Sequence, residues 1–121
     1  MKPEQFIREY GVEKAREVVD GAPNSATHYE LTVDGSAYFK YENFDWFCIE
    51  GGEQIRTYME NHETCHLIPL NDLNRLVESV DSINAFGGLK DAKAVVKMGK
   101  HYKYLKAHIS NYESIYGGGD E

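Results

Sequence analysis

No run of about eighteen apolar residues occurs anywhere in this 121-residue chain, which argues against a transmembrane helix. The opening Met1-Lys2-Pro3-Glu4-Gln5 leads straight into an amphipathic pattern without the apolar core of a signal peptide, so the expected location is the cytosol in which the protein is made. Cysteine is scarce. Cys48 and Cys65 are the only two, and in a reducing compartment such thiols act as small hydrophobes rather than as a disulfide. Positive charge is also in deficit, with 13 Lys and Arg against 20 Asp and Glu and a net charge of −7. A phosphate surface would repel the chain overall, which disfavours a general nucleic-acid binder. Neither Gly51-Gly52 nor Gly87-Gly88 is followed by the Gly-Lys-Ser/Thr of a phosphate loop, so a nucleotide site of that kind is excluded. Internal repeats and long linkers are missing too. A single domain over residues 1–116 is expected, with a glycine-rich disordered tail at 117–121.

What is present suffices for one core: 41% of residues are apolar and 12% aromatic, whereas two domains would each be too small. Phe6, Ile7, Tyr10, Ala15, Val18 and Val19 fall at near-helical spacing after Pro3, which suits a first helical turn. Gly11 interrupts this pattern, leaving open one helix or two short ones, and Gly21-Ala22-Pro23-Asn24 ends it. Residues 27–33 and 36–41 are rich in Thr, Val, Tyr and Phe and flank Asp34-Gly35, a pair that favours a two-residue hairpin turn. Residues 44–50 read as a third strand, closed by Gly51-Gly52.

Residues 54–70 support two readings. Ile55, Tyr58, Met59, His62 and His66 make a helical stripe, while 54–59 and 64–68 are two runs that a hairpin would join. The hairpin is preferred, because two further strands would complete a sheet of ordinary size. Beyond it, Asn71 reads as an N-cap ahead of Leu73, Leu76, Val77, Val80 and Ile83, with Phe86 and Gly87-Gly88 closing the helix. From Leu89 a second helical pattern runs through Ala92, Val95, Val96, Tyr102, Leu105, Ile109, Tyr112 and Ile115, with a bend near Met98-Gly99. The fold class expected is α+β: an antiparallel β-meander of three to five strands flanked by N-terminal and C-terminal helices.

One stretch has a ready-made catalytic reading. His62-Glu63-Thr64-Cys65-His66 spells the H-E-x-x-H of zinc hydrolases. On a helix the two imidazoles could share an ion while Glu63 polarised its water. On a strand they would stand roughly 13 Å apart at about 3.3 Å per residue, and the extended reading is preferred. A third ligand would have to come from Glu78, His101, His108 or His28, none at a diagnostic spacing. No metal or other cofactor is therefore expected, with His62 and His66 kept as the alternative metal pair. Cys65 beside His66 is weak as a nucleophile and base, since neighbours on a strand point to opposite faces.

Charge is distributed unevenly. From His28 to Glu63 eight carboxylates face only Lys40 and Arg56, and of these Glu42, Asp45, Glu50 and Glu53 are candidate contacts for a basic partner. The plain account of the same residues is solubility. Lys90, Lys93, Lys97 and Lys100 recur every three or four positions, as one helical face would require. They could meet an acidic surface or remain a solvated face. No arginine, the usual reader of base edges, lies among them.

The strings FIREYGVEKAREVVDGAP at 6–23, LIPLNDLNRLVES at 67–79, GGLKDAK at 87–93 and YESIY at 112–116 resemble small uncharacterised accessory proteins of lambda-like phages and enterobacterial prophages. The likeness covers the two helical ends and carries no catalytic signature. What it implies is a protein made in a bacterial cytoplasm during infection or lysogeny. The function expected is that of a non-enzymatic accessory protein that binds a host protein through an acidic sheet surface. The alternative is a small zinc hydrolase built on His62-Glu63-x-x-His66. Nucleic acid and membrane are not expected partners, and oligomeric state is left open.

Overall fold

Two short helices open the chain, a four-stranded meander follows, a segment carrying one helical turn crosses the sheet, and three longer helices complete the chain. The computed structural model describes residues 1–33, 35–98 and 103–117, with Lys103 described through its backbone alone. Helix α1 (Pro3–Tyr10) stops at Gly11, whose φ of 91° is open to glycine at little cost, and α2 (Val12–Asp20) restarts beyond it. The interruption at Gly11 thus makes two helices of the predicted one-or-two.

Strands β1 (His28–Thr32), β2 (Gly35–Glu42), β3 (Asp45–Glu50) and β4 (Glu53–Thr57) form a continuous antiparallel meander. Thr32 faces Gly35, so the first connection is residues 33–34 and not the Asp34-Gly35 pair. Position 34 itself lies outside the described residues. This register sets Tyr29 opposite Tyr38, with ring centroids 5.1 Å apart, and lets the Tyr38 hydroxyl donate to the Val18 carbonyl at 2.6 Å. A turn at 34–35 would have put Lys40 in that place.

The β2–β3 connection was not anticipated. Phe44, expected at the head of a strand, instead forms a two-residue turn with Asn43, with φ of 52° at Asn43 and 67° at Phe44. Positive φ at both positions is the type I′ pattern that suits Asn followed by Gly, and a bulky ring there is strained. Phe44→Gly is accordingly expected to raise stability by about 1 kcal/mol, read as a higher urea midpoint at unchanged slope.

The expected hairpin over 54–70 does not form. A four-residue helix α3 (Asn61–Thr64) follows β4, and the next strand, β5 (Ile68–Pro69), pairs with β1 rather than β4. The sheet order is β4-β3-β2-β1-β5. Residues 58–67 therefore pass from one sheet edge to the other across a face. Ile68 lands opposite Tyr29 and joins the core, which the free arm of a hairpin beyond β4 could not do.

Helix α4 (Leu70–Ala85) begins one residue before the predicted cap at Asn71. The Thr27 carbonyl accepts the Leu70 N–H at 2.9 Å, so the residue just before β1 satisfies one of the free N–H groups of the first turn. Helices α5 (Leu89–Lys97) and α6 (Lys103–Tyr116) complete the chain. The predicted bend at 98–99, Tyr102, and most of the predicted tail fall outside the described residues. No helix among the described residues is long and apolar enough to cross a membrane.

Directly opposed residues of an antiparallel pair share a face, which sorts the sheet. Tyr29, Leu31, Tyr38 and Ile68 point inward against Phe6, Val18, Leu73 and Leu76 of the helical layer. A second apolar cluster joins Ile83, Leu89, Ala92, Leu105 and Ile109 of α4, α5 and α6.

Between α4 and α6 a polar chain runs from the exposed Arg75 inward to Ser79. Arg75 donates to Asn111 Oδ1, Asn111 Nδ2 donates to Ser79 Oγ at 2.9 Å, and Ser79 sits 2.8 Å from His108 Nδ1. Ser79 is fully buried. With one hydrogen accepted from Asn111, its hydroxyl can donate to the imidazole, so both helices are held in one register. Ser79→Ala strands Asn111 and His108 and is expected to cost about 1–3 kcal/mol in chemical denaturation. A Ser–His–Asn arrangement invites a hydrolase reading, but a hydroxyl closed to solvent has no route to substrate.

Candidate functional site

The helical layer covers the inner sheet face around β5, β1 and Tyr38 of β2, and residues 58–67 cross the outer one. Pairing arranges that outer face in rows across the strands. One row is His28, Phe39, Cys48 and Ile55, taken pairwise from neighbouring strands. Beside it lie Tyr41, Trp46 and Thr57. On the other side Glu30 faces Ala37 and Glu50 faces Glu53. Continuing the β2–β3 register by one residue sets Ala37 next to Glu50, so three carboxylates share a single row.

The aromatic row is stacked and reachable. Trp46 lies 4.7 Å from Tyr41 and 4.9 Å from His28 by ring centroids, the latter edge-on. Tyr41 is 41% and Ile55 49% exposed. The exposed Phe44 sits in the turn that separates Tyr41 from Trp46 in sequence. Half-burial lowers the His28 pKa more than the opposing pull of Asp72 raises it, so its imidazole is neutral near pH 7. Burial, together with Glu50 and Glu30, pushes the Cys48 thiol up. That environment disfavours a thiolate and with it a nucleophilic role.

The four carboxylates nominated from sequence do not form one surface. Glu42 and Asp45 face the inner side, where Glu42 meets Lys40 at 3.7 Å and Asp45 meets Arg56 at 2.8 Å. Glu50 and Glu53 are on the outer side. An odd spacing along a strand flips the face, and the two-residue turns reset it, so a count of charges along the sequence could not separate them. Reading the alternation from Tyr41 through the turn to Trp46 would have found the aromatic row, which the charge count passed over.

His62-Glu63-x-x-His66 is neither the helix nor the strand of the two sequence readings. His62 and Glu63 lie on α3, Cys65 closes it, and His66 N–H donates to the Glu63 carbonyl at 3.1 Å in a three-residue turn. At about three residues per turn, positions four apart point roughly 120° away from each other rather than along one face. The preference for extended chain here does not hold, because residues 61–64 are helical. His62 pairs with Glu60 at 3.2 Å, and both imidazoles are exposed. The Cys65 thiol donates to the His62 carbonyl at 2.9 Å. Among the described residues no group of three or more His, Cys, Asp and Glu is placed to hold a metal ion, and His101 lies outside them.

Of the lysine row, Lys90, Lys93 and Lys97 line a shallow groove of about 250 Å³ on α5 together with Ala94. Lys93 is tied across to Glu113 of α6 at 3.2 Å. Lys100 lies outside the described residues. This row thus serves partly to hold α5 on α6. No known protein family, curated protein or solved structure matches the chain.

Proposed function

We propose that this is a non-enzymatic accessory protein, of phage or prophage origin, that binds a bacterial host protein through the outer face of its sheet. The observation that carries the reading is the pairing of an accessible Tyr41–Trp46–His28 stack with the carboxylate row of Glu30, Glu50 and Glu53 on one face. Tyrosine and tryptophan supply large rigid contact area, and residues of this kind dominate binding energy at protein interfaces. The carboxylates favour a partner with a basic patch and speed its approach at low salt. Phe44 adds to this. A large ring held outward at 91% exposure and positive φ contributes nothing to the core, and strain of that sort is often retained for contact. Phe44→Gly should therefore bind more weakly while folding more stably, the usual exchange at functional positions.

Capture from bacterial lysate at low ionic strength tests the reading. The expected result is a specific partner retained by the native protein, released by raised salt, and lost with the double variant Glu50→Lys, Glu53→Lys. A partner that binds this variant as well as the native protein would overturn the assignment of the face.

A further inference from the structure

The crossing residues 58–67 do more than connect strands. Where they pass over β1 and β2 they enclose a cavity of about 380 Å³, lined by Glu30, Phe39, Thr57, Tyr58, Met59 and Glu63. We infer that this cavity is an anchor pocket for one arginine side chain of the partner protein, an inference that rests on the outer-face reading above.

Size argues for a side chain. The volume is at the low end of the about 300–1,000 Å³ typical of ligand sites, and Glu30, Phe39 and Thr57 place it on the sheet face that carries the aromatic row. Charge argues for a cation. Glu30 and Glu63 both line the cavity, and among the described residues no lysine or arginine does. The Glu30 carboxylate makes no hydrogen bond or ion pair among the described residues. Glu63 uses Oε2 to accept the Glu60 N–H at 3.2 Å, which leaves its Oε1 available. The pocket also continues the carboxylate row, since Glu30 is shared by both.

The remaining walls choose between the two cationic side chains. Phe39, the Tyr58 ring and the Met59 thioether offer apolar and π surface, with the Thr57 and Tyr58 hydroxyls as the further polar groups. An ammonium is compact and strongly hydrated, and would give up water for two carboxylates only. A guanidinium is planar and weakly hydrated, stacks on aromatic faces, and presents donors along several edges at once. It can therefore meet Glu30 on the sheet and Glu63 on α3 together while its flat face rests on a ring. The sequence separates these residues by up to 33 positions, from Glu30 to Glu63, and only the crossover brings them together.

The test is a titration of the full chain with N-acetyl-arginine methylamide at low salt, followed residue by residue through amide NMR shifts. N-acetyl-citrulline methylamide, the neutral isostere, and the corresponding lysine amide serve as parallel probes. Saturable shifts are expected at Glu30, Phe39, Thr57, Tyr58, Met59 and Glu63, with none from citrulline and weaker ones from lysine. Glu30→Gln, which breaks no hydrogen bond of the fold, should weaken arginine binding about tenfold. Shifts that spread evenly to Glu50 and Glu53 without saturating, equal affinity for lysine, or binding untouched by Glu30→Gln would each overturn the pocket. The two levels separate cleanly. Arginine giving no shift while partner capture still depends on Glu50 and Glu53 removes the pocket alone, and saturable arginine binding without such capture removes the outer-face reading instead.

Discussion

Phe6→Ala is expected to destabilise the protein by about 3–5 kcal/mol, the range for deleting a fully buried aromatic side chain. Phe6 has no exposed surface, and its ring meets Tyr29 edge-on at 6.1 Å and Tyr10 at 5.0 Å. It joins α1 to the inner face of β1, so the loss leaves a cavity at the seam between helical layer and sheet. The same seam carries the Tyr38 hydroxyl bond to the Val18 carbonyl, and the Met1 ammonium just before α1 donates to the Cys65 carbonyl of the crossing segment at 2.6 Å. For a domain of this size such a loss is a large part of a total of about 5–15 kcal/mol. Urea denaturation followed by far-UV circular dichroism measures it, and Phe6→Leu should recover most of the difference by keeping volume and apolarity. A loss below about 1 kcal/mol for the alanine variant would mean that α1 does not pack as described.

Trp46→Ala is expected to lower affinity for the partner by at least about thirtyfold, the equivalent of 2 kcal/mol, while leaving the fold intact. The ring is half-buried between Tyr41 and His28 on the outer face and takes no part in either apolar cluster behind the sheet. Its removal subtracts contact area at the centre of the proposed interface and loosens both neighbours. Lys97→Gln, on the far helical layer, should change affinity by less than a factor of about two, as expected of a solvated charge outside a contact. Calorimetric titration of the captured partner against the three proteins decides between them. Equal affinities for native protein and Trp46→Ala would place the contact elsewhere.

The parts of this fold that were legible in sequence are those fixed by local chemistry. Gly11 between two apolar stripes marked the break between α1 and α2, and Gly51-Gly52 marked the β3–β4 turn, where both glycines have positive φ. The stripe from Leu73 to Ile83 marked α4, with its cap placed two residues late, at Asn71 instead of Pro69. What was illegible depends on contacts between distant segments. The turn at Asn43-Phe44 was hidden because phenylalanine is a strand former by propensity, and only the pairing of Glu42 with Asp45 forces it out of the ladder. The crossover was hidden because Ile68 and Pro69 read equally well as an arm paired with β4. Their pairing with β1 is selected by burial of Ile68 against Tyr29, 39 positions away. The outer-face site inherits both difficulties. Its aromatic row is assembled across the unexpected turn, and its cavity exists only because the chain crosses the sheet.

Placing a photoreactive benzoylphenylalanine at single positions of the protein expressed in bacterial cells gives the most direct measurement of where the proposed partner touches. Positions 44 and 98 are suitable, since Phe44 and Met98 are both highly exposed, the first at the turn beside Trp46 and the second at the end of α5. The account predicts a discrete cross-linked product from position 44 and none from position 98. A product from position 98 alone, or none from either, would contradict the assignment of the outer sheet face as the binding surface.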